Sequence, residues 1–188
     1  MRIFGIDPGS SRTGYGCIEM RGSRYRIVVC GALTTPARGT FPQKLLTIYD
    51  GLTDLLGRHR PDCVAIENLF YARNARSALT LGHVRGVVML VATRAGVPIA
   101  EYSPAEVKRA IVGYGRAEKH QVQRMIKLLL GLETAPSPYD VSDALAVALC
   151  HSHRLAPRGT TPATTAVSRG RAPSRAPRSW RQYRPVGG

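Results

Sequence analysis

Lysine is scarce in this chain. Lys44, Lys108, Lys119 and Lys127 are the only four among 27 basic residues, and acids number 12, leaving a formal net charge of +15. Residues 156–188 contain seven arginines and no acid, so residues 1–155 keep a net charge of +8. Both parts are basic independently, which favours nucleic acid or another anionic surface as partner and says nothing about fold. The four cysteines, Cys17, Cys30, Cys63 and Cys150, are far apart and form no C-x-x-C pair. They read as buried thiols in a reducing compartment. His120, His151 and His153 lack zinc-ligand spacing and are accounted for by helix ends. No apolar stretch approaches the roughly 18 residues a bilayer crossing needs, and no partner membrane is expected. The chain reads into a strand without an apolar leader, so a cytoplasmic location is expected. No repeat of 20 to 50 residues is visible, which excludes a solenoid.

What is present is an alternation of short apolar runs and amphipathic stretches. Arg2 to Asp7, Gly14 to Met20 and Arg26 to Leu33 read as three strands of a meander, broken at Pro8-Gly9 and around Gly22. Leu45, Ile48, Tyr49, Leu52, Leu55 and Leu56 recur at helical spacing. Cys63 to Ile66 is a continuous apolar run ending at Glu67, the pattern of a strand buried on both faces. Asn74 to Ala95 is helical, with Gly82 and Gly86 one turn apart. Glycines cost helix stability, so close packing is expected there, against a second copy of the chain or an internal element. Val97 to Tyr102 is a fifth strand, and Ser103-Pro104-Ala105-Glu106 carries a capping box with proline at the first helical position. Helices follow over Lys119 to Leu130 and from Ser137-Pro138 onward, the last burying Val141, Ala144, Leu145, Ala148 and Leu149. The order predicts an α/β domain over residues 1–155, with a mixed five-stranded sheet flanked by helices. Residues 156–188, rich in Pro, Thr, Ser and Arg, are expected to be a disordered basic tail.

Against this basic background four carboxylates occupy conspicuous positions. Asp7 and Glu67 close apolar runs, and neighbouring parallel strands would deliver both to one sheet edge. Asp140 and Asp143 are three apart at the start of the last helix and share a face. Two carboxylates about 4 Å apart repel by about 4 kcal/mol at an effective dielectric of about 20, so such a cluster calls for protons or cations. Oxygen-only ligation with room for phosphate oxygens suits Mg²⁺, with Mn²⁺ as substitute, and two ions can clamp the attacking and leaving oxygens of a phosphodiester. Read singly, Asp7 could start a turn, and Asp140 could complement the helix dipole and a Ser137 cap. Glu67 is harder to dismiss, because a carboxylate at the end of a buried run is costly without a partner.

The blocks Ile6-Asp7-Pro8-Gly9 with Thr13-Gly14-Tyr15-Gly16, Ala65-Ile66-Glu67 with Phe70 and Asn74, Ser103-Pro104 with Val107-Lys108, Gly113-x-Gly115-x-Ala117-x-Lys119-x-Gln121-Val122, and Asp140-x-x-Asp143-Ala144-Leu145-Ala146 resemble the bacterial RuvC family of Holliday junction endonucleases. The resemblance runs from residue 1 to about 154 in order and at matching spacing. It implies a ribonuclease H-like fold, a homodimer, and Mg²⁺-dependent symmetric cuts in two strands of a four-way junction. Asp7, Glu67, Asp140 and Asp143 would then be the metal ligands, and Lys108 and Lys119 basic groups near the scissile phosphate. Phe70 matches a position that handles bases at the junction point, and Tyr71, Arg73 and Arg76 extend an aromatic and basic DNA-binding segment. A branch-migration motor of RuvA and RuvB is the implied protein partner.

Asp7-x-Gly9-x-Ser11 also resembles the phosphate loop of actin-like ATPases, but those need a second copy of the fold, and no second D-x-G loop follows. A RuvC-like nuclease acting on structured RNA and a non-catalytic junction-binding module are the remaining alternatives. The Lys108 and Lys119 blocks oppose the first, and the complete acid set opposes the second. The tail is expected to add salt-sensitive, structure-independent DNA affinity. Removing residues 156–188 should flatten the slope of log affinity against log salt; an unchanged slope would assign the tail to a protein contact instead.

Overall fold

The computed structural model describes residues 1–22, 24–68 and 74–155. Strands β1 (Arg2–Asp7), β2 (Arg12–Arg21) and β3 (Arg24–Thr34) are followed by α1 (Phe41–His59), β4 (Cys63–Glu67), α2 (Ala75–Arg94) and β5 (Ile99–Tyr102). Helices α3 (Pro104–Val112), α4 (Lys119–Leu129) and α5 (Tyr139–Leu155) complete the order. The sheet runs β3-β2-β1-β4-β5, antiparallel through the first three strands and parallel where β4 joins β1 and β5 joins β4. Hairpins account for the first part and helical crossovers for the second.

Strand pleating sorts side chains to two faces. Phe4, Ile6, Val64 and Ile66 point to one cluster, shared with Ile48 and Leu52 of α1 and Val84 and Val88 of α2. Ile3 and Ala65 point to the other, shared with α3, α4 and α5. By the same alternation Asp7 and Glu67 fall on the α5 face. Phe4 to Ile6 and Val64 to Ile66 carry no charge, so the first ionisable groups occur where the strands end.

Glycine sets how closely α5 can lie on this face. A Cβ on Gly5 would collide with the Ala144 carbonyl and stand 2.9 Å from the Ala148 nitrogen, and one on Gly14 would collide with the Asp140 carbonyl. On Gly16, paired with Gly5 across β1 and β2, it would stand 2.6 Å from the Leu145 side chain. The helix backbone therefore rests on bare strand backbone. Helices α3 and α4 cover its outer side, so Ala144 through Cys150 are all buried, more completely than a single apolar stripe predicts.

The Ser103 cap forms as expected: its Oγ accepts from the Glu106 backbone N–H at 3.3 Å, and the Glu106 carboxylate accepts from the Ser103 N–H at 2.9 Å. Ser137-Pro138 does not repeat it. The helix starts at Tyr139, which makes Asp140 its second residue rather than its third. Cys30 is exposed, unlike the other three cysteines, because β3 is an edge strand. Nothing among the described residues lies within 4 Å of a Cβ placed on Gly82 or Gly86, so no described element packs there. The expectations for residues 156–188 lie outside the described residues. Gly5→Ala is expected to destabilise the protein by about 1–3 kcal/mol in urea denaturation, since backbone must move to admit a methyl group. An unchanged midpoint would show that α5 is not held against β1.

Candidate metal and phosphate site

Asp7 ends β1 and Glu67 ends β4, one step past the parallel pair Ile6 and Ile66. Asp7 is also the cross-strand partner of Gly14, against which the start of α5 is seated. Strand register and helix seat thus bring Asp140 and Asp143 to the edge where Asp7 and Glu67 emerge. Lys119, the first residue of α4, reaches across: its Nζ is 3.3 Å from Asp143 Oδ2 and 5.9 Å from the centre of the Tyr139 ring. Arg12, at the start of β2, places Nη1 3.4 Å from Asp140 Oδ2. Glu67, Asp143, Lys108 and Lys119 border an open cleft of about 230 Å³ with Pro104, Val107, Val122 and Ala146.

The electrostatics of this edge are unfavourable to four ionised acids. Burial pushes the Asp7 carboxyl up to about 8, helped by the charges of Glu67, Asp143 and Asp140 and opposed by Lys119. Burial also pushes Glu67 up to about 7, with Asp143 adding to it and Lys119 and Lys108 opposing it. Asp143 is raised by burial despite its Lys119 partner, and Lys119 is raised chiefly by the Asp143 charge. No hydrogen bond among the described residues holds the Asp7 or Glu67 carboxylate. Partly buried acids that lack donors are costly to ionise unless a cation joins them. Among the described residues no three acidic, histidine or cysteine side chains close around one point as a metal-holding group. Two of the four acids are instead turned to ammonium and guanidinium partners.

The structure therefore brings Asp7, Glu67, Asp143 and Lys119 into one electrostatic unit, with Lys108 lining the same cleft and Asp140 paired with Arg12. Arg76 is exposed in the first turn of α2 and makes no ion pair among the described residues. Phe70, Tyr71 and Arg73 lie outside the described residues. Asn74 caps α2, its Oδ1 accepting from the Ser77 N–H at 2.8 Å. Sequence reasoning missed Arg12, whose only signal was a cation directly after the Asp7 turn. It also missed the seating glycines, whose strand positions read as weak points.

The mixed sheet with its acidic edge beneath α5 defines a ribonuclease H-like α/β protein of the kind found in junction resolvases. The yeast mitochondrial Holliday junction resolvase Ydc2 shares the fold at a TM-score of 0.59, 15% identity, and coverage of 80% of this chain and 77% of that one. Within that class the chain belongs to the crossover junction endodeoxyribonuclease RuvC family, whose profile matches residues 3–151. The RuvC of Caldanaerobacter subterraneus is 50% identical over 153 residues, which is 81% of this chain and 93% of that protein. Thermus thermophilus RuvC in complex with Holliday junction substrate superposes at a TM-score of 0.79 with 35% identity, covering 82% and 94% of the two chains.

The raised carboxyl values fix a sign. A carboxyl with a raised folded value keeps its proton in the fold at pH values where the unfolded chain has lost it. Its contribution to stability is present below the unfolded value near 4 and is lost as pH rises toward the folded value near 8. Glu19 and Glu106 are shifted downward and act in the opposite sense, so the informative quantity is a difference. In chelator-treated protein, the melting temperature of the parent relative to Asp7→Asn is expected to fall between about pH 4 and about pH 8. Parallel profiles would contradict a buried, proton-holding Asp7.

Proposed function

We propose that this chain resolves four-way DNA junctions as a divalent-metal-dependent endonuclease, acting in DNA recombination and repair. The observation that carries the reading is Asp7 and Glu67 at adjacent strand ends facing Asp143 and two lysines, in a chain of the RuvC family. The donor set supports a hard divalent cation: every candidate ligand is a carboxylate oxygen, and the two most perturbed acids have no internal donor. Asp7, Glu67, Asp140 and Asp143 would hold Mg²⁺, in a two-ion arrangement that Mn²⁺ can also fill. The metal, when bound, supplies activation of water and stabilisation of the charge that develops on phosphate.

The remaining work falls to the chain's own residues. Lys119, 68% exposed and attached to Asp143 at its tip, can swing to a phosphate oxygen once Asp143 has another cation. Lys108 borders the same cleft and offsets the charge of Glu67 and Asp143. Arg12 is placed to make the same exchange from Asp140 to DNA. Val107, Val122 and Ala146 line the cleft with apolar surface beside Glu67 and Asp143. Phe70, Tyr71, Arg73 and Arg76 would supply the stacking and phosphate contacts at the branch point.

Two symmetric cuts need two copies of the site related by a two-fold axis, and α2 supports a homodimer. Gly82 and Gly86 leave its backbone open, Leu79 and Leu90 are 65% and 53% exposed beside them, and the groove between α2 and Leu45 has a volume of about 640 Å³. An apolar face of this kind seeks a partner, and a self-complementary surface supplies one. Residues 1–155 form the nuclease domain in this reading, with 156–188 as a basic appendage. Among the described residues no helix is long and apolar enough to cross a membrane. Family membership supports work on DNA in the cytoplasm alongside a RuvA and RuvB motor.

Incubating the protein with a synthetic four-way junction and Mg²⁺, and mapping all four strands, tests the reading. Paired cuts at symmetric positions are expected, from a species that sediments as a dimer. Asp7→Asn should lower the rate by at least about 10³-fold while junction affinity holds or rises, because one fewer acid repels phosphate. An intact junction under tight binding would favour the non-catalytic module. Weaker binding by Asp7→Asn would place the site elsewhere.

A further inference from the structure

Glu67 has no side-chain partner among the described residues to fix its carboxylate. Its position is set by its backbone, and the residue after it is anchored from two sides. The Asn68 N–H donates to the Tyr102 carbonyl at 2.6 Å, carrying the β4–β5 ladder past the paired Glu67 and Tyr102. The Asn68 Oδ1 accepts from Nη1 of Arg85 on α2. Nη2 of the same guanidinium lies 2.8 Å from Glu101 Oε1 on β5. Arg85 thereby ties the exit of β4 to the edge strand and to α2 at once.

This is not an ordinary surface pair. The Arg85 side chain is 16% exposed and that of Glu101 32%, so both charges have given up much of their water. Withdrawing a guanidinium is costly unless its donors are used, and a planar fork can serve two acceptors at fixed angles where an ammonium cannot. A helix needing only a partner for Glu101 could use lysine. The second arm, directed at Asn68, is the part that requires arginine.

We propose that Arg85 is a positioning residue for Glu67: by bridging Asn68 and Glu101 it fixes where β4 ends, and so where the Glu67 carboxylate meets a divalent cation. The inference rests on the reading of Glu67 as a metal ligand. Arg85 touches neither metal nor DNA in this account, and acts through Asn68 alone. Outer partners of metal ligands typically set affinity or rate by about 10- to 100-fold.

The test uses the full chain, with far-UV circular dichroism to confirm folding, and two readouts: the rise of melting temperature with Mn²⁺ alone, and single-turnover junction cleavage across Mn²⁺ concentration. Arg85→Gln is expected to raise the half-saturating Mn²⁺ concentration about 10-fold in both readouts and to lower cleavage about 10- to 100-fold at the parent's half-saturating level. Excess Mn²⁺ should recover part of the rate, and metal-free junction affinity should stay at the parent value. Arg85→Lys should fall between parent and Arg85→Gln. Asn68→Ala removes the other end of the bridge, keeps the claim testable if Arg85→Gln does not fold, and should show the same Mn²⁺ shift. The double variant should be no worse than either single one. A lowered melting temperature with an unchanged Mn²⁺ response in Asn68→Ala or Arg85→Gln would overturn the proposal and leave Arg85 a stabilising tie only. A parent chain that neither responds to Mn²⁺ nor cleaves would instead remove the metal-site reading, and the proposal with it.

Discussion

The contact between α5 and the bare backbone of β1 and β2 is the constraint on which the acidic edge depends. Gly5, Gly14 and Gly16 let a helix axis come closer to a sheet than side chains ordinarily permit, and the backbone of Asp140 and Ala144 fills the space. Two acids from the N-terminal end of α5 are thereby brought to the edge where two acids from strand ends emerge. None of the four could be delivered by local structure, since they arise from three elements far apart in the chain. The burial of α5 on all sides follows from the same arrangement. Pressed to the sheet and covered by α3 and α4, the helix is buried from Ala144 through Ser152 and opens at its two ends, at the N-terminus where Asp140 and Asp143 lie and at Arg154 and Leu155.

That geometry creates an electrostatic load the fold does not relieve by itself. Asp7 and Glu67 are shifted well above ordinary carboxyl values, mainly through burial, while Lys119 and Arg12 serve as local counterions for Asp143 and Asp140. On the proposed reading, a site built this way would hold protons and local counterions when free, and exchange them for a divalent cation and for phosphate. The excess positive charge of the chain would then serve two scales at once: drawing a polyanion toward the surface, and supplying cations at the edge where the proposal seats phosphate. In the proposed role Arg85 extends the same logic one layer outward, its largely buried guanidinium held between the Asn68 side chain just past Glu67 and Glu101.

Much of this was legible in the sequence, for reasons that differ by residue. The strand ends at Asp7 and Glu67 were visible because buried strands are apolar until they stop, and parity along parallel neighbours then fixes the face. The cap at Ser103 was legible because Glu106 completes it, whereas Ser137-Pro138 looked alike but is followed three residues later by Asp140, whose carboxylate meets Arg12 instead. The seating glycines were opaque, since a strand glycine advertises only what it lacks and its partner is a helix most of the chain away. Cys30 was misjudged because an apolar run does not announce that its strand lies at an edge. Arg85 looked like one cation in an apolar helix, and its meaning came from acceptors on β5 and just past β4.

The claim that the α5 seat assembles a divalent-metal site is tested most directly by crystals of the protein soaked in Mn²⁺, with diffraction recorded at the manganese absorption edge. The account predicts anomalous density among the Asp7, Glu67 and Asp143 carboxylates at ligand distances of about 2.0–2.3 Å, with Lys119 withdrawn from Asp143. Absence of density there under saturating Mn²⁺, with Lys119 still on Asp143, would contradict it.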